Sequence, residues 1–179
     1  EMAAENDELL METYFDRGTL SEEELTKGLR IALANREFYP VFCASAEMNM
    51  GSGRVMGFIN DIGPSPIDRP AMKLKGEGEL KCDANGESVV FLHKIISEPK
   101  VGKVIYFKVC SGKVRSGMEL WNPATNTSER INALFVELVK NRTPVNELIA
   151  GDIGVTVKLK DSHTSNTLSN KGSGLEIEP

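Results

Sequence analysis

The hydrophobic pattern of this 179-residue chain changes its period once, within residues 64–87. Before that stretch, apolar residues recur at the spacing of a helix that begins with the capping pair Ser21 and Glu24. After it, apolar and polar residues alternate, as in residues 105–109 and 153–159. Because helices bury every third or fourth residue and strands every second, the chain is predicted to fold as two parts of different class.

The first part is predicted to be helical with one strand. Asn6 is expected to cap a first helix that runs through about Phe15. The apolar run at residues 39–43 predicts a short buried strand. A third helix is expected from Gly53, and the sequence Gly-Pro-Ser-Pro at 63–66 ends it because proline disfavours helix at the preceding residue.

The second part is predicted to be a six- to seven-stranded antiparallel β-barrel. Its short runs of period two are separated by turn sequences such as SGK at 111 and AGD at 150. Residues 67–86 are rich in proline, glycine and charge, which is typical of a linker. The predicted domains are therefore 1–66 and 87–176, joined by this linker, and the fold class is α+β with more than one domain.

Composition excludes several classes of protein. Hydrophobic residues make up 40% and charged residues 26% of the chain, which is typical of a globular protein. No apolar run reaches about 18 residues, so no membrane span is predicted. The three cysteines are far apart without a C-x-x-C pair, which favours a reducing cytoplasm over a disulfide framework or zinc site. Cys43 and Cys110 lie in apolar runs and are predicted to be buried.

Charge is distributed unevenly along the chain, whose net charge is -5. Residues 1–30 are strongly acidic. Residues 98–117 are basic, and such a segment is either a solvated face or a contact for a polyanion. Its cations are Lys100, Lys103, Lys108, Lys113 and Arg115.

The sequence contains no complete catalytic motif. The glycines at 51, 53 and 57 lack the Lys and hydroxyl of a phosphate-binding loop, and their spacing misses the dinucleotide fingerprint. Residues 83–86 match D-x-x-G by letters alone, and no N-K-x-D is present. His93 and His163 are expected in a strand and a turn rather than in a catalytic triad. We therefore predict no catalytic residue and no metal ligand.

Several stretches, taken in order, resemble one family. They are NDELLMETYFDRGTLSEEEL with GLRIAL, then PVFCASAEMNMG, GFINDIGPSPIDRPA, KVGKVIYFKVCSGKVRSG, ERI and AGDIGVTVKLKDS. Together they resemble elongation factor G, the translational GTPase that drives ribosomal translocation, or a diverged paralogue of it. The resemblance implies that the first part is the end of a P-loop GTPase domain and the second is the β-barrel domain that follows.

The resemblance also implies a nucleotide role. Ser45 and Ala46 correspond to the loop that contacts guanine, where backbone N–H groups can donate to the base. The phosphate loop and switches would lie upstream of this chain. GTP or GDP with Mg²⁺ would bind the whole protein, and this chain alone would hold no cofactor and hydrolyse no GTP.

The family's β-barrel domain docks on small-subunit ribosomal RNA. By this resemblance Lys100, Lys103, Lys113 and Arg115 are the candidate RNA contacts, and the weaker candidates are Arg130, Lys140 and Arg142. The acidic helices within residues 6–33 would lie near the ribosomal stalk protein. The expected partner is the ribosome in the cytoplasm, with neither DNA nor membrane.

Two other interpretations remain open. The chain could be part of a related translational GTPase, either a ribosomal protection protein against tetracycline or a peptide-release factor. It could instead be a freestanding β-barrel binding module with a helical extension. Sequence upstream and downstream of this chain would discriminate between these classes, because only a translational GTPase needs a phosphate loop and further domains.

Overall fold

The computed structural model describes residues 2–139 and 141–178, which form two compact units, 1–69 and 70–179. The first unit is helical and the second consists of strands. None of the helices in the described residues combines the length and the apolar character that crossing a membrane requires.

The first unit contains helices α1 (Glu8–Arg17), α2 (Glu22–Ala34) and α3 (Ser52–Ile62), followed by a 3₁₀ turn at Pro66–Asp68. The cap of α1 is Asp7 and not Asn6, which corrects the prediction. The Asp7 carboxylate accepts hydrogen bonds from the N–H groups of Leu9 and Leu10 at 3.1 and 3.3 Å. Asn6 instead donates to the side chain of Glu37.

Helix α2 begins as the sequence predicts, with a reciprocal capping box. The N–H of Glu24 donates to the Ser21 hydroxyl at 3.3 Å, and the N–H of Ser21 donates to the Glu24 carboxylate at 2.8 Å. Further along, α2 lies against the N-terminal segment, because a Cβ at Gly28 would come within 1.8 Å of the Ala3 carbonyl oxygen. Glycine at this position lets the two backbones approach.

The predicted buried strand at residues 39–43 is wrong. These residues form no strand, and Tyr39 and Val41 are 86% and 89% exposed. Cys43 is exposed as well, contrary to the prediction that it is buried. An apolar run becomes a buried strand only when neighbouring strands cover it, and the described residues of this unit supply no such sheet. Phe42 packs against the ring of Phe58 on α3, with 5.1 Å between the ring centroids.

The second unit is built from short antiparallel strands. They are β1 (Met72–Lys73), β2 (Glu79–Leu80), β3 (Val89–Glu98), β4 (Gly102–Ser111), β5 (Lys113–Arg115), β6 (Glu119–Asn122), β7 (Thr127–Arg130), β8 (Leu134–Leu138), β9 (Asn141–Val145), β10 (Glu147–Ile149), β11 (Ile153–Val157) and β12 (Thr167–Ser169). Eight of them form one sheet in the order β7-β6-β12-β3-β4-β11-β8-β9. β5 pairs with β10, and β1 pairs with β2.

The antiparallel barrel expected from the sequence is confirmed. Leu120 on β6 and Leu134 on β8 come from opposite halves of the long sheet, yet both belong to one buried core with Phe107 on β4. The sheet therefore curls around a single interior. The described residues form more strands than the predicted six or seven; at one of the breaks Gly112, at a φ of +69°, turns the chain between β4 and β5.

Part of the segment predicted as a linker folds onto the barrel. β1 lies beside the C-terminal segment, where Leu74 bridges Ile177 and the N–H of Lys75 donates to the Glu176 carbonyl at 2.7 Å. Leu80 and Ile177 then join Cys110 in a second apolar cluster. Cys110 is buried as predicted, and burial raises the pKa of its thiol to about 11.

Candidate functional site

The loop that contains Ser45 and Ala46 is a tight turn closed by two backbone hydrogen bonds. The N–H of Ser45 donates to the Met50 carbonyl at 2.9 Å, and the N–H of Met50 donates to the Ser45 carbonyl at 3.0 Å. A further bond runs from the Asn49 N–H to the Ala46 carbonyl at 3.2 Å. The loop therefore keeps its shape by its own backbone contacts.

These hydrogen bonds assign different roles to the two candidate residues. The N–H of Ser45 is engaged with Met50, and its hydroxyl accepts from the N–H of Met48 at 3.4 Å. The N–H of Ala46 donates to no acceptor among the described residues, and the side chain is exposed. Ala46 is thus the member of the pair that can donate to a carbonyl oxygen of a ligand.

Gly51 has a strict steric reason to be glycine. It adopts a φ of +76° as the N-cap of α3, and a Cβ there would lie 2.6 Å from the Cys43 carbonyl oxygen. By contrast, a Cβ at Gly53 or Gly57 would meet nothing within 4 Å. The glycine-rich sequence that superficially suggested phosphate binding therefore serves to turn the loop into a helix.

The four basic candidates do not form one cluster. Lys100 lies in the turn between β3 and β4 at a φ of +70°, and Lys103 follows at the start of β4. Lys113 and Arg115 lie on β5, beyond the other end of β4. Eight residues of extended chain separate Lys103 from the end of β4, which corresponds to about 25 Å. The structure thus divides the predicted cluster into two basic patches.

Lys113 and Arg115 border a shallow groove of about 340 Å³. The opposite wall is the turn at residues 84–86, which the Asp83 carbonyl holds by accepting from the N–H groups of Gly86 at 3.2 Å and Gly112 at 2.8 Å. The Ser88 hydroxyl donates to the Lys113 carbonyl at 2.6 Å and fixes the edge of β5. The D-x-x-G letters at 83–86 therefore mark the wall of this groove.

The charge in the groove is partly balanced by one acid. Arg115 donates from Nε to Glu147 on the paired strand β10 at 2.6 Å. This hydrogen bond lowers the pKa of Glu147, and the positive charge of Lys113 adds to the effect. The Arg115 side chain is still 69% exposed, and a guanidinium has five N–H donors. The groove therefore presents donors suited to phosphate oxygens.

Two of the three weaker candidates differ sharply in accessibility. Arg142 is committed to two carboxylates, since its guanidinium donates to Glu98 at 2.9 and 2.5 Å and to Glu137 at 2.6 Å. Arg130 is exposed at the end of β7. The third candidate, Lys140, lies outside the described residues. Arg142 thus links β9 to β3 and β8, and the carboxylates of Glu98 and Glu137 balance its charge.

Sequence reasoning missed a buried carboxylate at Glu129. Glu129 is 2% exposed and accepts hydrogen bonds from the N–H of Lys160 at 3.0 Å, the N–H of Asp161 at 2.8 Å and the Ser162 hydroxyl at 2.8 Å. Asn122 extends this network by donating to Ser162 at 3.3 Å. In the sequence, the one indication of this buried carboxylate is that Glu129 occupies an inward-facing position of a strand whose side chains alternate between the two faces.

The described residues contain no group of three or more His, Cys, Asp or Glu that could hold a metal ion. His93 lies on β3, where burial lowers the pKa of its imidazole. The features that remain are the closed turn at residues 45–50 in the first unit and the basic patches on the β-barrel of the second.

Comparisons with known proteins match the barrel to one family and most of the chain to one solved structure. Residues 102–169 match the family described as elongation factor Tu domain 2. The chain is also similar to a protein from Thermus thermophilus of known crystal structure, with 26% identity and a TM-score of 0.76 over 96% of this chain. The match covers 24% of the Thermus protein, so this chain spans about a quarter of its length. These findings support a translation-factor β-barrel in the second unit.

Proposed function

We propose that the chain is part of an elongation factor G-like protein that promotes GTP-dependent translocation of tRNA and mRNA. In that protein, the chain docks the ribosome and the GTPase domain and performs no catalysis itself. The match of residues 102–169 to elongation factor Tu domain 2 is the observation that carries this proposal. The similarity over 96% of the chain supports it, because it includes the helical unit as well as the barrel.

The ribosomal contact is proposed for the groove beside Lys113 and Arg115. Both side chains border a concave surface, and polar backbone of the 84–86 turn lines its other side. This arrangement suits the sugar–phosphate backbone of folded RNA, which is recognised by shape and phosphate position. Lys100 and Lys103 provide a second, separate contact at the far end of β4.

The nucleotide contact is proposed for the loop at residues 45–50. In the whole protein, bound to GTP or GDP with Mg²⁺, the Ala46 N–H donates to guanine while Ser45 holds the loop closed. One such hydrogen bond contributes roughly 0.5–1.5 kcal/mol, which cannot retain a nucleotide on this chain alone. The 179-residue chain is accordingly expected to show no GTP turnover above buffer background.

Sedimentation of the chain with small ribosomal subunits over a series of salt concentrations tests the ribosomal contact. The double variant Lys113→Ala/Arg115→Ala should bind more weakly and show a smaller salt slope, because each lost phosphate contact lowers the slope by somewhat less than one. The control variant Glu77→Gln, which changes an exposed acid outside both basic depressions, should retain the slope. An unchanged slope in the double variant would contradict the assignment.

Assays of the whole protein decide its place within the family. A translocase should accelerate movement of tRNA and mRNA on the ribosome in the presence of GTP. A ribosomal protection protein would instead restore translation in tetracycline, and a release factor would promote peptide release. Protein that binds ribosomes but is inactive in all three assays would leave the barrel as a binding module.

The acidic start of α2 is proposed to face the ribosomal stalk protein. Charge reversal at Glu22 and Glu23 should weaken that contact in a pull-down with purified stalk protein. Glu24 is left unchanged because it completes the capping box with Ser21, so its reversal would also disturb the helix. Unchanged stalk capture by the reversed variant would remove this contact from the proposal.

A further inference from the structure

A second depression on the barrel, of about 290 Å³, has a different set of charges from the Lys113 groove. It lies between the ends of β7 and β11, where Arg130, Lys158 and Lys160 border it. The polar side chains of Ser128 and Asn132 complete its lining. Its volume is close to the lower end of small-molecule sites, which run from roughly 300 to 1,000 Å³.

The cations of this depression form no ion pair with a carboxylate of the described residues. Among the described residues, none of the three lies within 4.0 Å of a carboxylate oxygen. Glu129 also borders the depression, but its two oxygens accept three hydrogen bonds from residues 160–162. Glu119 is the remaining acid, opposite Arg130 in the β6–β7 register. The positive charge is therefore only partly balanced.

The backbone around the depression is held in place from two directions. Glu129 fixes the N–H groups of Lys160 and Asp161, and the neighbouring Leu159 is buried in the barrel core. Lys158 adopts a φ of +64°, a conformation that costs energy for any residue with a Cβ. Such strain persists where the surrounding structure imposes it, and it occurs preferentially at ligand sites.

We propose that this depression is a phosphate-binding site formed by Arg130, Lys158 and Lys160. Three cations from two strand ends can surround one phosphate group, with the Ser128 hydroxyl and the Asn132 amide as further donors. The phosphate can belong to a small polyphosphate or to an RNA backbone, since both present the same oxygens. The site does not depend on the proposed ribosomal role.

Titration of the full chain with inorganic pyrophosphate, followed by amide chemical shifts, tests the site. Saturable shifts are expected at residues 158–162, and the variant Arg130→Ala/Lys158→Ala should weaken binding by about tenfold or more. Arg36→Ala is the matched control, because Arg36 is also an exposed basic residue at positive φ and has no proposed binding role. It should leave pyrophosphate binding unchanged.

A parallel titration with a single-stranded RNA oligonucleotide distinguishes the two sources of phosphate. Shifts at residues 158–162 with either ligand support the site and identify its source. Absence of these shifts with both ligands, or equal affinity of the double variant and Arg36→Ala, overturns the proposal. The Lys113→Ala/Arg115→Ala variant should still bind pyrophosphate, so failure of the ribosomal contact and failure of this site give different results.

Discussion

Arg142 on β9 donates two hydrogen bonds to Glu98 at the end of β3, at 2.9 and 2.5 Å. Three strands separate β3 from β9 in the sheet order, so the contact requires strong curvature of the sheet. The same guanidinium also holds Glu137 on β8, which accepts from the Tyr106 hydroxyl at 3.0 Å. Arg142 thus connects β9, at the end of the sheet order, to β8 and to β3 in the middle of that order.

This network predicts a pH dependence of stability. The hydrogen bond from Arg142 lowers the pKa of Glu137, so the folded state releases this proton more readily than the unfolded state does. Its stabilisation is full above the ordinary glutamate pKa and is lost as the pH falls through the lowered value. In the Glu137→Gln variant, the free energy of unfolding should therefore fall less steeply as the pH is lowered. Urea denaturation at several pH values measures this slope.

The control for this prediction is Glu119→Gln, which changes an exposed carboxylate outside the network. Its free energy of unfolding should fall with decreasing pH as steeply as that of the unmodified chain. Equal slopes for Glu137→Gln and the unmodified chain would show that the Arg142 contact does not couple to folding.

Replacing Glu129 with alanine should destabilise the barrel. The change removes the acceptor of two N–H groups and one hydroxyl, which are then left in a site that water reaches poorly. Unsatisfied donors of this kind cost about 1–3 kcal/mol each when buried, and water can satisfy part of the loss. Urea denaturation should show a loss of at least about 1 kcal/mol, whereas Glu119→Ala should stay within about 0.5 kcal/mol.

Gly112→Ala and Gly102→Ala form a matched pair that isolates a steric clash. Both glycines have positive φ, so both variants lose about 1 kcal/mol through backbone strain. Only at Gly112 would the Cβ meet backbone, at 2.6 Å from the Ser88 nitrogen. Thermal or urea unfolding should therefore place Gly112→Ala about 1–3 kcal/mol below Gly102→Ala. Equal stability would mean that the β4–β5 corner relaxes freely.

The cysteines should differ in reactivity towards a thiol reagent. Cys43 is exposed, whereas Cys110 is buried with a pKa of about 11, so about one Cys110 thiol in a thousand is ionised near pH 8. Brief treatment with iodoacetamide and peptide mass spectrometry should find modified Cys43 and unmodified Cys110. Denaturant should make both react, and rapid native labelling of Cys110 would contradict its burial.

Local signals were sufficient for some elements of this protein. Ser21 and Glu24 predicted the start of α2 because a capping box needs only residues three apart. The alternation around residues 105–109 predicted β4 and its buried face for the same reason. The cap of α1 was misplaced by one residue because Asn6 and Asp7 are both good caps and only the folded geometry separates them.

The sites depended on contacts that sequence patterns do not report. Lys103 and Lys113 are ten residues apart in sequence, yet an extended strand places them on separate patches. Arg142 and Arg130 look equivalent in sequence, but Glu98 and Glu137 occupy the first and leave the second accessible to a ligand. The second outcome follows from the pairing of strands that are distant in the chain.

The sequence by itself determined the class of each part, because hydrophobic period is a local property and separates helix from strand. It also carried the barrel sequence of residues 102–169, which matches elongation factor Tu domain 2. The tertiary structure alone decided which charges remain accessible. Closing a sheet into a barrel brings acidic and basic side chains of different strands together. Whether a given cation then pairs with a carboxylate depends on the curvature of the sheet and on the register of its strands.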